Sequence, residues 1–270
     1  MRSSSQVFSK KAQISIQGEL LAVVTYESHE ITSDAVLVHG FTGSKEDFTE
    51  IAVLLAQRGF RVLTFDNRGQ NESSSTLRSD GYSMQSLARD VIELANYFGL
   101  KQPHLMGHSF GGLISQQSVA LKPELWSSLT LFCSGPGGKA DWFDDPQFDG
   151  LTNSNKTEKW QIHLDKAARG HKNYVLLKKR WSDSDAISTL TFREHLRTFV
   201  SLIGKISESG IPSHVVFGEN DDVWPLEEQR AMAKILGARI SVLPHCAHCP
   251  NEENPELTAE VLAQFWESIN

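Results

Sequence analysis

The chain has 270 residues, 40% apolar and 22% charged, with 26 Lys/Arg against 33 Asp/Glu for a formal net charge of −7. This is the make-up of an ordinary globular protein and excludes a disordered or fibrous one. An acidic balance also lacks the basic footprint that phosphate backbones or anionic lipid select, so nucleic acid is not an expected partner.

No stretch reaches the ~18 uninterrupted apolar residues of a spanning helix, and the N-terminal MRSSSQVFSKKAQ has no apolar run behind its positive charge. Neither membrane insertion nor a secretory leader is expected. Three cysteines, Cys133, Cys246 and Cys249, cannot all pair within one chain and are few for a secreted scaffold, which points to a reducing, cytoplasmic setting. Monomer and homodimer both remain open.

In chain order, QISIQGELLAVVTY around Gly18 reads as an antiparallel hairpin at a sheet edge. The runs at 35–38 (AVLV), 61–65 (RVLTF), 104–106 (HLM), 129–132 (LTLF) and 214–217 (HVVF) are short and mostly apolar, as strands buried on both faces should be. Amphipathic stretches separate them. Phe48, Ile51, Ala52 and Leu55 share one helical face, as do Leu87, Val91, Leu94, Ala95 and Phe98, and Leu257, Val261, Leu262 and Phe265 mark a closing helix after Pro255. Strands alternating with helices predict a parallel sheet wrapped by helices.

Residues 136–205 break that rhythm. They open in a Gly/Pro loop and continue as charged, aromatic-rich, mostly helical sequence, which predicts a helical cap inserted between core segments 1–135 and 206–270. From 139 to 205 there are 12 Lys/Arg against 9 Asp/Glu, so this segment carries +3 and the rest −10. Trp142, Trp160 and Trp181 lie in it. They serve equally well as the inner face of a lid or as glue for a small helical layer.

The strongest local signal is Gly107-His108-Ser109-Phe110-Gly111, a G-x-S-x-G between a predicted strand and a predicted helix. A serine on so tight a turn projects Oγ from the top of the sheet, and the N–H of Phe110 points from the helix start toward charge forming beside it. A hydroxyl is a poor nucleophile without a base and an orienting acid. After HVVF come Glu219, Asp221 and Asp222, of which Asp221 is the chosen acid. After the last predicted strand come His245 and His248, with His248 preferred as base and His245 expected to pack or hydrogen-bond in the turn. A second oxyanion donor is expected from the loop His39-Gly40-Phe41-Thr42-Gly43, with Phe41 N–H the candidate.

The order HGF, DNRG, GHSFGG, GENDD, AHCPNEENP resembles that of the α/β-hydrolase superfamily over residues 14–269. The resemblance implies a mostly parallel eight-stranded sheet flanked by helices, with a helical cap inserted after strand 6. It also implies Ser109 as nucleophile, Asp221 as acid, His248 as base, and the amides of Phe41 and Phe110 as oxyanion hole. Two positions depart from the pattern: Asn71 stands at a usual glycine of the loop after the DNRG, and Ala247 stands where a glycine usually precedes the histidine. Asn tolerates a left-handed backbone better than other non-glycine residues.

The expected activity is cleavage of a carboxylic ester, or a related thioester or lactone, of a small-molecule substrate, with no cofactor and no metal. His39, Gly40, His108, Trp142, Trp160, Trp181 and Trp224 are candidate pocket residues. A lyase, carbon–carbon hydrolase or cofactor-free oxygenase on the same scaffold is the alternative, and a non-catalytic receptor a further one. Cys246 and Cys249, interleaved with His245 and His248, also invite a zinc or redox reading, but no second Cys/His cluster completes four ligands.

Overall fold

Gln17 and Gly18 both have positive φ, 53° and 88°, the conformation of a two-residue hairpin turn whose twist matches the flanking strands. The turn pairs β1 (Phe8–Ile16) with β2 (Glu19–Glu27) in antiparallel register. The computed structural model describes residues 6–78, 80–138, 148–165 and 172–269. Six further strands complete the sheet: β3 (Ser33–Val38), β4 (Phe60–Phe65), β5 (His104–His108), β6 (Ser128–Phe132), β7 (Ser213–Gly218) and β8 (Arg239–Leu243).

Their order is β1-β2-β4-β3-β5-β6-β7-β8, and every pair from β4 to β8 is parallel. The middle of the sheet is buried throughout, with β5, β6 and β7 wholly enclosed, which is why their sequences are apolar runs rather than alternations. From β3 the chain passes to β4 on one side and then to β5 on the other. Such a reversal opens a crevice at the carboxyl ends of the two strands, where ligands bind in open α/β sheets. The loops bearing Gly40 and Ser109 both leave the sheet there.

The helices fall into two groups. α1 (Thr49–Gln57) packs against the closing helix 255–267, whereas α2 (Met84–Tyr97) packs against α3 (Phe110–Leu121). Ser83 caps α2 by accepting the Ser86 N–H, and Asn254 caps the closing helix by accepting the Leu257 N–H. All three predicted amphipathic faces are among these helices.

Between β6 and β7 the described residues are mainly helical: α4 (Lys156–Lys159) running into one π-turn, α5 (Tyr174–Asp183), α6 (Ala186–Thr198) and α7 (Ile203–Ser209). Phe148, Leu151, Trp160, Trp181 and Ala186 form an apolar cluster of their own, separate from the main core. The buried Lys156 ammonium donates to the carbonyls of Ser182 and Ser184, satisfying acceptors at the end of α5.

The α5–α6 corner is bonded to the loop after β4. Asp185 N–H and Ser188 Oγ both donate to Gly69 O (2.7 and 2.9 Å), Asn71 N–H donates to Ser184 Oγ (3.0 Å), and Tyr82 Oη donates to Asp185 Oδ2 (2.9 Å). Asn71 sits at φ 46°, the left-handed geometry its position demands. Its amide adds what a glycine could not, a hydrogen bond of 3.0 Å to Asp66 Oδ2.

Candidate active site

Ser109 occupies the single residue between β5 and α3, with φ 52° and ψ −118°. A non-glycine residue reaches that region only when its surroundings hold it there. Here the Ser109 N–H donates to Phe132 O (3.0 Å) and its carbonyl accepts from Ser134 Oγ (2.8 Å) and Gly112 N–H (2.9 Å). The flanking glycines allow the approach: a Cβ on Gly107 would lie 2.3 Å from Gly111 O, and one on Gly111 would lie 2.2 Å from Val38 O. Both positions therefore require glycine.

Phe110 opens α3, so its N–H has no acceptor four residues back. The loop after β3 is a tight turn closed by Gly43 N–H to Gly40 O (3.0 Å), with Thr42 at φ 56°. Lys45 holds it to the loop after β4, with Nζ 2.7 Å from Asp66 Oδ2 and 2.8 Å from Glu72 Oε2. Phe41 lies in that turn, its ring 5.5 Å from Phe148.

Asp221 follows β7, and its side chain is fully buried. Oδ1 accepts from Val223 N–H (3.0 Å) and His248 Nδ1 (3.0 Å), and Oδ2 accepts from Gln229 Nε2 (3.0 Å). Burial favours the protonated acid, but the bond to His248 and its charge, with the Val223 and Gln229 donors, hold the pKa below the ordinary carboxylate value. The competing acids Glu219 and Asp222 are exposed.

The loop bearing His248 is clamped on both sides of the histidine. Glu253 accepts from Ala247 N–H (2.5 Å) and Cys249 N–H (3.0 Å). Gly218 packs so closely that a Cβ there would lie 2.1 Å from Ala247 O. His245 takes φ 62° and is exposed, with its backbone N–H on Glu219 Oε2, so it bonds in the turn through its backbone and does not pack.

Ser109, His108, Gly40, Phe41 and His248 line one cavity of about 230 Å³, roofed by Leu177 and Arg180 of α5 and walled by polar side chains including Asp47, Asn251 and Glu252. His248 and Ser109 share the cavity, but no hydrogen bond joins Ser109 Oγ to the imidazole. Such bonds are commonly open in unliganded sites.

Of the other pocket candidates, none that the structure describes lines this cavity. His39 is buried beneath the loop, where Nε2 accepts from Asn67 N–H (2.9 Å), and burial lowers its pKa despite Asp66 and Asp47. Trp160 and Trp181 belong to the separate apolar cluster and do not line this cavity. Trp224 is fully buried against Gly135 in the main core. Trp142 falls outside the described residues.

Among the described residues the only trio placed to share a metal ion is His108, Cys133 and His248, with ligand atoms within 4.8 Å. It excludes Cys246, Cys249 and His245, so the C-x-x-C does not form the site its spacing suggested. Burial, with Asp47 and Glu252 nearby, pushes the Cys249 thiol up to about 12, and burial likewise holds Cys133 well above the ordinary thiol value. Neither is a ready thiolate.

Gln229 and Glu253 were not legible as site residues. A Glu four positions after Cys249, at the end of the short helix that Pro250 opens, is a faint sign of the clamp. Gln229, inside an ordinary amphipathic helix, gives none.

An eight-stranded, mostly parallel sheet with its serine at the β5–α3 turn and a His–Asp pair beyond β7 and β8 defines an α/β-hydrolase fold. A family model for the alpha/beta hydrolase fold matches residues 36–255, and the chain belongs to that family. It is 22% identical to the Bacillus subtilis (strain 168) protein named "Putative 2-succinyl-6-hydroxy-2,4-cyclohexadiene-1-carboxylate synthase", over 95% of this chain and 98% of that one. It is 27% identical to the uncharacterized hydrolase YugF of the same organism, over 85% and 88%. Among solved structures, the enol-lactonase from Burkholderia xenovorans LB400 superposes with a TM-score of 0.79 at 18% identity, covering 95% of this chain and all (100%) of that one. No helix among the described residues is long and apolar enough to cross a membrane.

Proposed function

We propose that the protein is a serine hydrolase that cleaves a carboxylic ester, thioester or lactone of a small acyl substrate through an acyl-enzyme. Ser109 Oγ attacks the carbonyl carbon while His248 Nε2 takes its proton, and Asp221 holds the imidazole through Nδ1. The tetrahedral oxyanion forms against the N–H groups of Phe41 and Phe110. Collapse expels the leaving group, which takes the proton from His248, and a water activated by the same imidazole releases the acid. Residues 136–205 act in this reading as the cap, with Leu177 and Arg180 of α5 bounding the acyl site.

The observation that carries the reading is the Asp221–His248 bond of 3.0 Å at the rim of the cavity that holds Ser109 on its strained turn. The test is fluorophosphonate labelling with mass spectrometry of the adduct, alongside a panel of p-nitrophenyl esters of increasing acyl length. Labelling at Ser109 and loss of turnover in Ser109→Ala are expected, and full turnover in that variant would sink the mechanism.

A second reading is a lyase in which His248 abstracts a proton from carbon and Ser109 forms no covalent bond. The name of the Bacillus subtilis relative favours it. Turnover with no acyl or phosphonyl adduct at Ser109 would select it.

A further inference from the structure

A second polar side chain stands one residue before the serine. His108 ends β5, with its ring 5.5 Å from Phe132 and 4.9 Å from the His248 ring. Its Nε2 lies 2.9 Å from the backbone oxygen of His248. A carbonyl only accepts, so Nε2 carries the hydrogen and Nδ1 the lone pair.

On the other side of the ring, a Cβ built on Gly40 would fall 3.1 Å from His108 Nδ1, so the loop after β3 rests against that nitrogen. One buried imidazole therefore touches the oxyanion loop, the elbow and the base loop. Burial, with His248 beside it, holds the His108 pKa down to about 4, which keeps the ring neutral at ordinary pH.

We propose that His108 is a positioning residue: its Nε2–H, bonded to the His248 carbonyl, fixes the backbone of the base while Asp221 fixes the rotation of its ring. The peptide groups on either side of His248 are held by Glu253. The bond from His108 ties that loop directly to the residue preceding the nucleophile, so the distance between base and serine is set by one hydrogen bond. Neither group touches the reacting atoms. This inference rests on the reading of Ser109 and His248 as nucleophile and base.

The test compares His108→Gln, whose amide can present a donor where Nε2 stood, with His108→Phe, which keeps the ring volume and loses the donor. Two readouts are taken: the rate of Ser109 labelling by a fluorophosphonate, and hydrogen exchange in the segment 245–254. The Phe variant should label about 10- to 100-fold more slowly with little change in its concentration dependence, as misplacement of a reacting group predicts. Its base loop should exchange faster. The Gln variant should restore both readouts toward wild type. If the two variants behave alike while the wild type is labelled, the inference fails and the hydrolase reading stands. If the wild type itself is not labelled at Ser109, the hydrolase reading fails and takes this inference with it.

Discussion

The Arg180 guanidinium of α5 donates to the Asp47 carboxylate, with the two side chains 15% and 10% exposed. Asp47 Oδ2 also accepts the Ser44 N–H at 3.0 Å, so one carboxylate ties the roof of the cavity to the loop that bears Phe41. Hydrogen bonds to charged groups are worth roughly 1.5–3 kcal/mol when shielded from water. Arg180→Met should lower stability by about 1–2 kcal/mol and raise KM for short esters several-fold with a smaller change in kcat. Urea melts and ester kinetics would show it. An unchanged midpoint together with an unchanged KM would mean that the roof does not depend on this pair.

Asp221→Asn keeps an acceptor for Val223 but no longer holds the imidazole in the tautomer with Nε2 free to accept a proton. A substitution of this kind in a Ser-His-Asp triad costs about 10⁴-fold in kcat with the geometry intact. A similar loss, with thermal stability near wild type, is expected here. Activity within tenfold of wild type would remove Asp221 from the proposed role.

Gly111 and Gly204 make a matched pair for stability. A Cβ at Gly111 meets Val38 O at 2.2 Å, a backbone atom that cannot step aside, whereas one at Gly204 in α7 meets nothing within 4 Å. Gly111→Ala should misfold or lose roughly 3 kcal/mol or more, in line with severe overpacking. Gly204→Ala should be neutral to stabilising by about 0.5–1 kcal/mol, the helix propensity difference. Differential scanning calorimetry of both variants decides, and equal Tm values would contradict the packing at the elbow.

Acid should weaken the fold through its buried histidines, His104 and His214 among them. His104 is stacked on Trp266 with its pKa pushed down to about 4, and His214 is pushed down to about 3, burial being the main cause in both. In the unfolded chain these rings titrate near 6.5, so below that pH the unfolded state binds more protons. Their contribution is therefore complete above about 6.5 and is lost as pH falls through 4 toward 3. Each depressed pKa corresponds to something on the order of 3 kcal/mol or more. The urea midpoint should drop steadily from pH 6.5 to 4.5, and His104→Phe should flatten part of that slope. A midpoint constant across the range would refute the assignment.

The strands and the elbow were readable because their determinants are local. A run such as HLM between turn residues and a helix start has few alternative conformations, and Gly107 and Gly111 announce a close approach by their spacing alone. The choice of His248 over His245 leaned partly on the family resemblance, and Asp221 had Asp222 and Glu219 as close competitors, since neighbouring loop residues differ only in which way they face. The tryptophans stayed ambiguous for the same reason. Trp160 and Trp181 read equally well as lid or as glue, because an aromatic side chain carries no local sign of whether it turns toward a cavity or toward its own helix layer. Partners such as Gln229, Glu253 and Arg180 come from distant elements, and only the folded arrangement of loops selects them.

The bonds from Gly69 and Asn71 to the α5–α6 corner bear on how the molecule comes apart. Releasing that corner would strip Gly69 O of the Asp185 and Ser188 donors and Asn71 N–H of its Ser184 acceptor, and would unmoor the loop that holds Lys45 through Asp66 and Glu72. The α5–α6 corner and the loop after β4 thus form one cooperative unit with the sheet, so heating should yield a single calorimetric peak rather than a shoulder from an early-melting helical layer.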